Sequence, residues 1–273
     1  MDLSEVLERL AVEPQAPIDL AEAALLIARD EYPQLEVVSY LREIENLADD
    51  SQRYLGRSFD EQISGLCYFL FHEIGFRGNQ QHYYDPRNSF LNQVIDRLTG
   101  IPITLSLVVM AVGERLGLRI QGIALPGHFI AMAEQQGERI VFDPYHQGVR
   151  LSAADCERLV RHSAGVEMHL TLAQLEPASP AAIVTRVLNN LKGCYLRRGD
   201  FPRAIRVIQR LCQVAPQDHV QLRDLGTCWM RMGRPGRAID PLEMYLQRTS
   251  LSEDRDAVIK LLQLARSELA QWN

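Results

Sequence analysis

Hydrophobic positions recur at helical spacing through the first third of the chain. "DLAEAALLIARDEY" places Leu20, Ala23, Ala24 and Ile27 on one face, opened by Asp19 and Glu22 at capping-box spacing. "PQLEVVSYLREIENLADD" repeats the pattern with Leu35, Val38, Leu41, Ile44 and Leu47. "SFDEQISGLCYFLFHEIG" carries a second box, Ser58 to Glu61, a stripe through Ile63, Leu66, Leu70 and Ile74, and Gly75 where the helix should stop. The first hundred residues are therefore expected to be mainly helical. Gly78-Asn79 and Asp85-Pro86 are turn signals, so a loop precedes a short helix expected from near Ser89.

Pro102 suits the first turn of a strongly apolar helix that ends near Gly117, because its missing N–H would be unpaired there in any case. Short runs bounded by turns follow. Residues 119–125, 128–133 and 139–142 read as strands of a small antiparallel sheet, with turns at Pro126-Gly127 and Gln136-Gly137. Beyond "EPASPAA" the pattern becomes a repeat. "RRGDFPRAI" (197–205) and "RMGRPGRAI" (231–239) hold Gly199 and Gly233 34 residues apart, and Leu191/Leu225, Tyr195/Trp229 and Ala204/Ala238 keep that offset. A helix-turn-helix unit of this period resembles the tetratricopeptide repeat. Pro216 falls where such a unit commonly ends, Ser250 replaces it in the second copy, and 254–272 reads as a capping helix. The expected fold class is α+β, mostly helical, with residues 1–176 as one domain and 177–273 as an all-α repeat domain.

Composition sharpens this picture in three ways. The apolar share of 47% with 23% charged residues is that of a globular protein. The longest apolar run, 101–112, falls short of the ~20 residues that span a bilayer, and "MDLSEVLERL" lacks the basic start of a secretory signal. Five scattered cysteines (Cys67, Cys156, Cys194, Cys212, Cys228) form no CxxC pair and suit reduced thiols in a cytoplasmic protein. The net charge of −6 conceals a division: residues 1–180 carry 14 basic and 26 acidic side chains, residues 181–273 carry 15 and 9. The whole chain is too acidic to suggest general nucleic-acid binding, a regulator that contacts nucleic acid through its arginine-rich C-terminal half ranks last among the readings, and no membrane partner is expected.

The chemistry-bearing stretch is "GFRGNQQHYYDPRNSFLNQVIDRLTGIPITLSL", followed by "PGHFIA" and "FDPYHQG". In order and content these motifs resemble the bacterial SirB-type family, a divergent transglutaminase-like core of the papain-like superfamily often followed by tetratricopeptide repeats. The resemblance implies a cysteine at a helix N-terminus, a histidine on a following strand and an aspartate on the next. His128 and Asp143 match the last two. The nucleophile position falls at Pro102, or at Ile103 or Thr104 allowing slippage, and none is cysteine. His128 and Asp143 then read as a remnant dyad, with Thr104 and Ser106 as the hydroxyls nearest the vacated position. Hydroxyls are far less acidic than a thiol and need a well-aligned base. Asn88, Asn92 and Asp96 lie at i, i+4, i+8, either a solvated face or a polar wall of the His128 cleft. His72, His146, His162 and His169 show no metal spacing with one another, so neither metal nor cofactor is expected.

The expected function is a cytoplasmic adaptor, a pseudoenzyme core fused to a protein-binding repeat module. The rival is an amidase, peptidase or acyltransferase using His128, Asp143 and a hydroxyl or water. In this repeat type the first helix of each pair lines the groove, which puts Arg186, Asn189, Asn190, Arg197, Arg223 and Arg231 on or near it. Such a groove suits a protein or peptide partner, an acidic segment or a free C-terminus, through paired charge-assisted hydrogen bonds. The competing reading has these arginines docking internally on the acidic domain.

Overall fold

The computed structural model describes residues 2–249 and 253–271. Ser250 and Trp272 lie outside the described residues. In chain order the helices are α1 (Leu3–Val12), α2 (Leu20–Arg29), α3 (Val37–Ser51), α4 (Phe59–Tyr68), α5 (Leu91–Arg97), α6 (Pro102–Arg115), α7 (Ala153–Ala164), α8 (Pro180–Arg198), α9 (Phe201–Val214), α10 (Val220–Arg231), α11 (Pro235–Arg248) and α12 (Arg255–Gln271). The strands are β1 (Arg77–Gly78), β2 (Thr99–Gly100), β3 (Ile120–Leu125), β4 (His128–Gln135), β5 (Glu138–Asp143) and β6 (Val149–Arg150). The α+β class follows directly. Two compact units emerge: Gln15–Val187, and Leu3–Pro14 together with Leu188–Asn273. The division falls inside α8.

The first unit is built around α6. Eleven of its fourteen residues are buried, including Thr104 and Ser106, so the helix is apolar on every side and must lie at the centre. It packs against β3, β4, α2 and α3. The sheet is an antiparallel meander in the order β3-β4-β5-β6, with Leu125 opposite His128 across the Pro126-Gly127 turn. On its other side Ile123, Ile130, Met132 and Val141 form a second core with Cys156 and Val160 of α7. A short parallel ladder, Arg77 to Thr99 and Gly78 to Gly100, ties the loop before α5 to the start of α6.

Local chemistry explains the boundaries. Asp19 accepts from Ala21 N at 2.8 Å and Glu22 N at 2.9 Å to start α2, and the Ser58–Glu61 box is closed in both directions. After α4 the backbone widens into a π-helical turn, Phe69–Glu73, before Gly75 at φ +91° ends it. The stripe through Asn88, Asn92 and Asp96 is not one helix. Phe90 is extended (φ −93°, ψ 117°), so Asn88 sits in a separate 3₁₀ turn, Pro86–Asn88, ahead of α5.

In the second unit α9, α10, α11 and α12 pack in sequence, and α1 packs against α9. The small Ala204 and Ala238 are fully buried, which lets paired helices approach. Ala238, Leu242 and Tyr245 of α11 form a core with Val258, Leu262 and Ala265 of α12.

Candidate functional site

The site grows from the ends of two neighbouring strands. His128 begins β4 and Asp143 ends β5, both buried. His128 Nε2 lies 2.8 Å from Asp143 Oδ2. The chain then turns through a 3₁₀ segment, Pro144–His146, that Asp143 caps by accepting from Tyr145 N at 2.9 Å through Oδ1. Three residues per turn bring positions i and i+3 to the same side, and His146 Nδ1 reaches the same Oδ2 at 2.7 Å. One carboxylate oxygen therefore serves two imidazoles, whose ring centroids are 5.8 Å apart.

The electrostatics follow from this sharing. Burial pushes the Asp143 carboxyl up, but hydrogen bonds from His128 and then His146 outweigh it and hold the group at about 2. The hydrogen bond to Asp143 raises the His146 imidazole against the opposing effect of burial. An ionised oxygen only accepts, so both facing nitrogens carry hydrogen.

The surroundings fix this geometry tightly. A Cβ at Gly78 would come within 2.5 Å of the Tyr145 ring, so β1 can approach the turn only as glycine. Gly148, at φ +76°, closes the turn, and a Cβ there would lie 2.7 Å from Cys67 Sγ. Arg186 donates from Nη1 to Leu125 O at 3.1 Å and from Nη2 to His128 O at 2.9 Å, gripping both ends of the β3–β4 turn.

At the N-terminus of α6, which packs against β4 and the Pro144–His146 turn, the hydroxyls are committed to the backbone. Thr104 Oγ1 donates to Asn88 O at 2.7 Å, accepts from Ile101 N at 3.1 Å, and is fully buried. Ser106 Oγ donates to Pro102 O at 2.9 Å, one turn back in the helix. Pro102 is buried in the first turn. Burial lifts the Cys67 thiol to about 12 and, as the largest effect, the Cys156 thiol to about 11.

Residues 38–189 match the transglutaminase-like superfamily, and residues 191–263 match the tetratricopeptide repeat. A UPF0162 protein of Xylella fastidiosa is 34% identical over 91% of this chain and 90% of that one. The chain belongs to the UPF0162 family. The chain is also 28% identical, over 145 residues (50% of this chain and 22% of that one), to F-box only protein 21 of Homo sapiens. A crystal structure of menin aligns over 95% of this chain and 74% of that one, at 11% identity and a TM-score of 0.43.

In this UPF0162 chain the other residues singled out by sequence are dispersed. Asn88 donates to His82 O and Tyr83 O and accepts from Asn79, so it organises the 79–88 loop. Asp96 of α5 accepts from Tyr40 of α3 at 2.9 Å; Asn92, also on α5, is buried with its Oδ1 unpartnered. Asn189 and Asn190 are half-buried on α8, and Arg197 and Arg231 are exposed. Arg223 is held between Asp224, at 2.8 Å, and Asp254, whose side chains push its pKa up against burial. His146 is the residue that sequence spacing did not bring forward. Its signal was the offset of three from Asp143 across a proline, a distance that only a 3₁₀ turn makes short. Among the described residues no helix is long and apolar enough to cross a membrane.

Proposed function

We propose that the chain is a cytoplasmic adaptor in which a transglutaminase-like core works without thiol chemistry and the repeats bind protein. The observation that carries this reading is Thr104. The hydroxyl nearest the superfamily's nucleophile position directs its hydrogen to Asn88 O and is closed off from solvent. A hydroxyl so placed is a helix-capping group, and its removal from that role would leave buried backbone groups unpaired. The tetratricopeptide module supports a protein-binding role, and the basic balance of residues 181–273 favours an acidic segment or free C-terminus as the ligand. Arg231 is exposed on α10, while Arg186 and Arg223 are already engaged inside their own units.

The rival reading, an amidase, peptidase or acyltransferase, is favoured by the intact 2.8 Å contact between His128 and Asp143. The full-length protein separates them. Incubated with a panel of amide, ester and glutamine substrates, it should release no product above background, and an acidic peptide should bind with an affinity that Arg231→Glu reduces. Turnover abolished by His128→Ala would end the adaptor reading; binding unchanged by charge reversal would end the acidic-ligand part of it.

A further inference from the structure

We infer that His128, Asp143 and His146 form a binding site for a divalent transition-metal ion of the zinc class. The inference goes beyond the adaptor reading and stands whether or not the chain turns over a substrate. His128 Nε2, Asp143 Oδ2 and His146 Nδ1 all lie within 4.8 Å of one another. Zinc bound at ~2.0–2.1 Å in tetrahedral geometry sets its ligand atoms about 3.3 Å apart. The two nitrogens stand 2.8 and 2.7 Å from the shared oxygen, so each needs to withdraw by about half an ångström to admit an ion. Each ring would then carry its hydrogen on the nitrogen remote from Asp143 and present a lone pair in its place.

The donor set selects the ion. Two imidazole nitrogens with one carboxylate oxygen suit zinc and its first-row neighbours; calcium and magnesium prefer all-oxygen shells, and copper(I) prefers sulfur. The supports are those of a metal centre. Tyr145 N holds the second oxygen of Asp143 at 2.9 Å, which fixes the direction of the carboxylate. The His128 backbone is anchored by Arg186. His128 and Asp143 are 7% and 1% exposed in their side chains but His146 is 46% exposed. An ion can therefore enter from the His146 side and keep a solvent ligand there, the open fourth position of a three-ligand site.

The test uses the full-length protein stripped with chelator and titrated with Zn²⁺ by calorimetry, with Co²⁺ absorption reporting coordination. The wild type should bind about one equivalent, and His146→Ala should weaken the affinity by about 100-fold or more, beyond what loss of an outer-shell partner costs. His128→Gln should act similarly, and Zn²⁺ should raise the melting temperature of the wild type but not of His146→Ala. Because His146 is on the surface, that variant keeps the fold, which circular dichroism checks independently. His169→Ala, at an exposed histidine remote in sequence, should bind as the wild type does. Failure of the wild type to bind Zn²⁺ saturably, or equal affinity in wild type and His146→Ala, overturns the site.

Discussion

The two units of this chain use arginine in the same manner for different ends. In the transglutaminase-like unit Arg186 reaches two backbone carbonyls at the ends of one turn, and the turn positions His128. In the repeat unit Arg223 meets two carboxylates, Asp224 and Asp254, on a surface one-third exposed. The first guanidinium is a structural pin in a half-buried setting; the second is a neutralised surface charge. The contrast extends to the folds. One unit concentrates its chemistry at a point where distant segments converge, and the other spreads a regular surface along stacked helices.

The largest break in this comparison should come from the central helix. Leu105 is fully buried in α6, so Leu105→Ala should cost about 2–5 kcal/mol in a denaturant melt. In the repeats the matching test adds volume. Ala238 is 0% exposed in a core shared with Val258, Leu262 and Ala265, so Ala238→Leu should cost about 1–3 kcal/mol. If Leu105→Ala melts like the wild type, α6 is not the organising element of its unit.

A smaller effect separates the two arginines. Arg186→Ala leaves the carbonyls of Leu125 and His128 without their charged donor, at a cost of about 1.5–3 kcal/mol. Arg223→Ala should cost less, about 1 kcal/mol or under, because solvent screens a partly exposed pair. Thermal melts of both variants check the order. The reverse order would mean that the repeat unit depends on its ion cluster more than the core depends on its pinned turn.

What could be read from sequence divides along the same line. The repeat was legible because Gly199/Gly233 and Ala204/Ala238 mark a period, and a period needs no knowledge of tertiary structure. The strands around His128 were legible from short apolar runs bounded by the Pro126-Gly127 and Gln136-Gly137 turns, and the fold class from these strands and the repeat together. The polar stripe through Asn88, Asn92 and Asp96 misled, since helical spacing was counted across an extended Phe90. His146 was passed over because its place beside His128 depends on a strand pairing and a 3₁₀ turn together. Helix α7 and strand β6 lie outside what the sequence pattern predicts; α7 buries only Cys156 and Val160 fully, with Ala153 and Leu159 packed partly against the same core. Arg186 looked like a groove residue on helical spacing, and no local pattern reveals a contact 58 residues away in sequence.

The smallest expected effect concerns thiols, and it sharpens the comparison without disturbing the fold. Cys67 is buried against Gly148, and burial lifts its thiol to about 12. At pH 8 about one molecule in 10⁴ then carries the thiolate, against roughly one in four for an ordinary cysteine. The thiolate is the reactive form, so iodoacetamide should leave Cys67 unmodified in the native protein. Cys212 of the repeat unit is half-buried, its thiol raised by burial first and by Asp218 second. It is the better-exposed thiol and should be labelled first, still more slowly than a free cysteine. Peptide mass spectrometry after brief labelling reads the order, and raising the pH should speed Cys67 only as it nears 12 or as the unit unfolds. Rapid native labelling of Cys67 would place a reactive thiolate beside the Asp143–Gly148 turn, and with it the thiol chemistry that this transglutaminase-like core is proposed to do without.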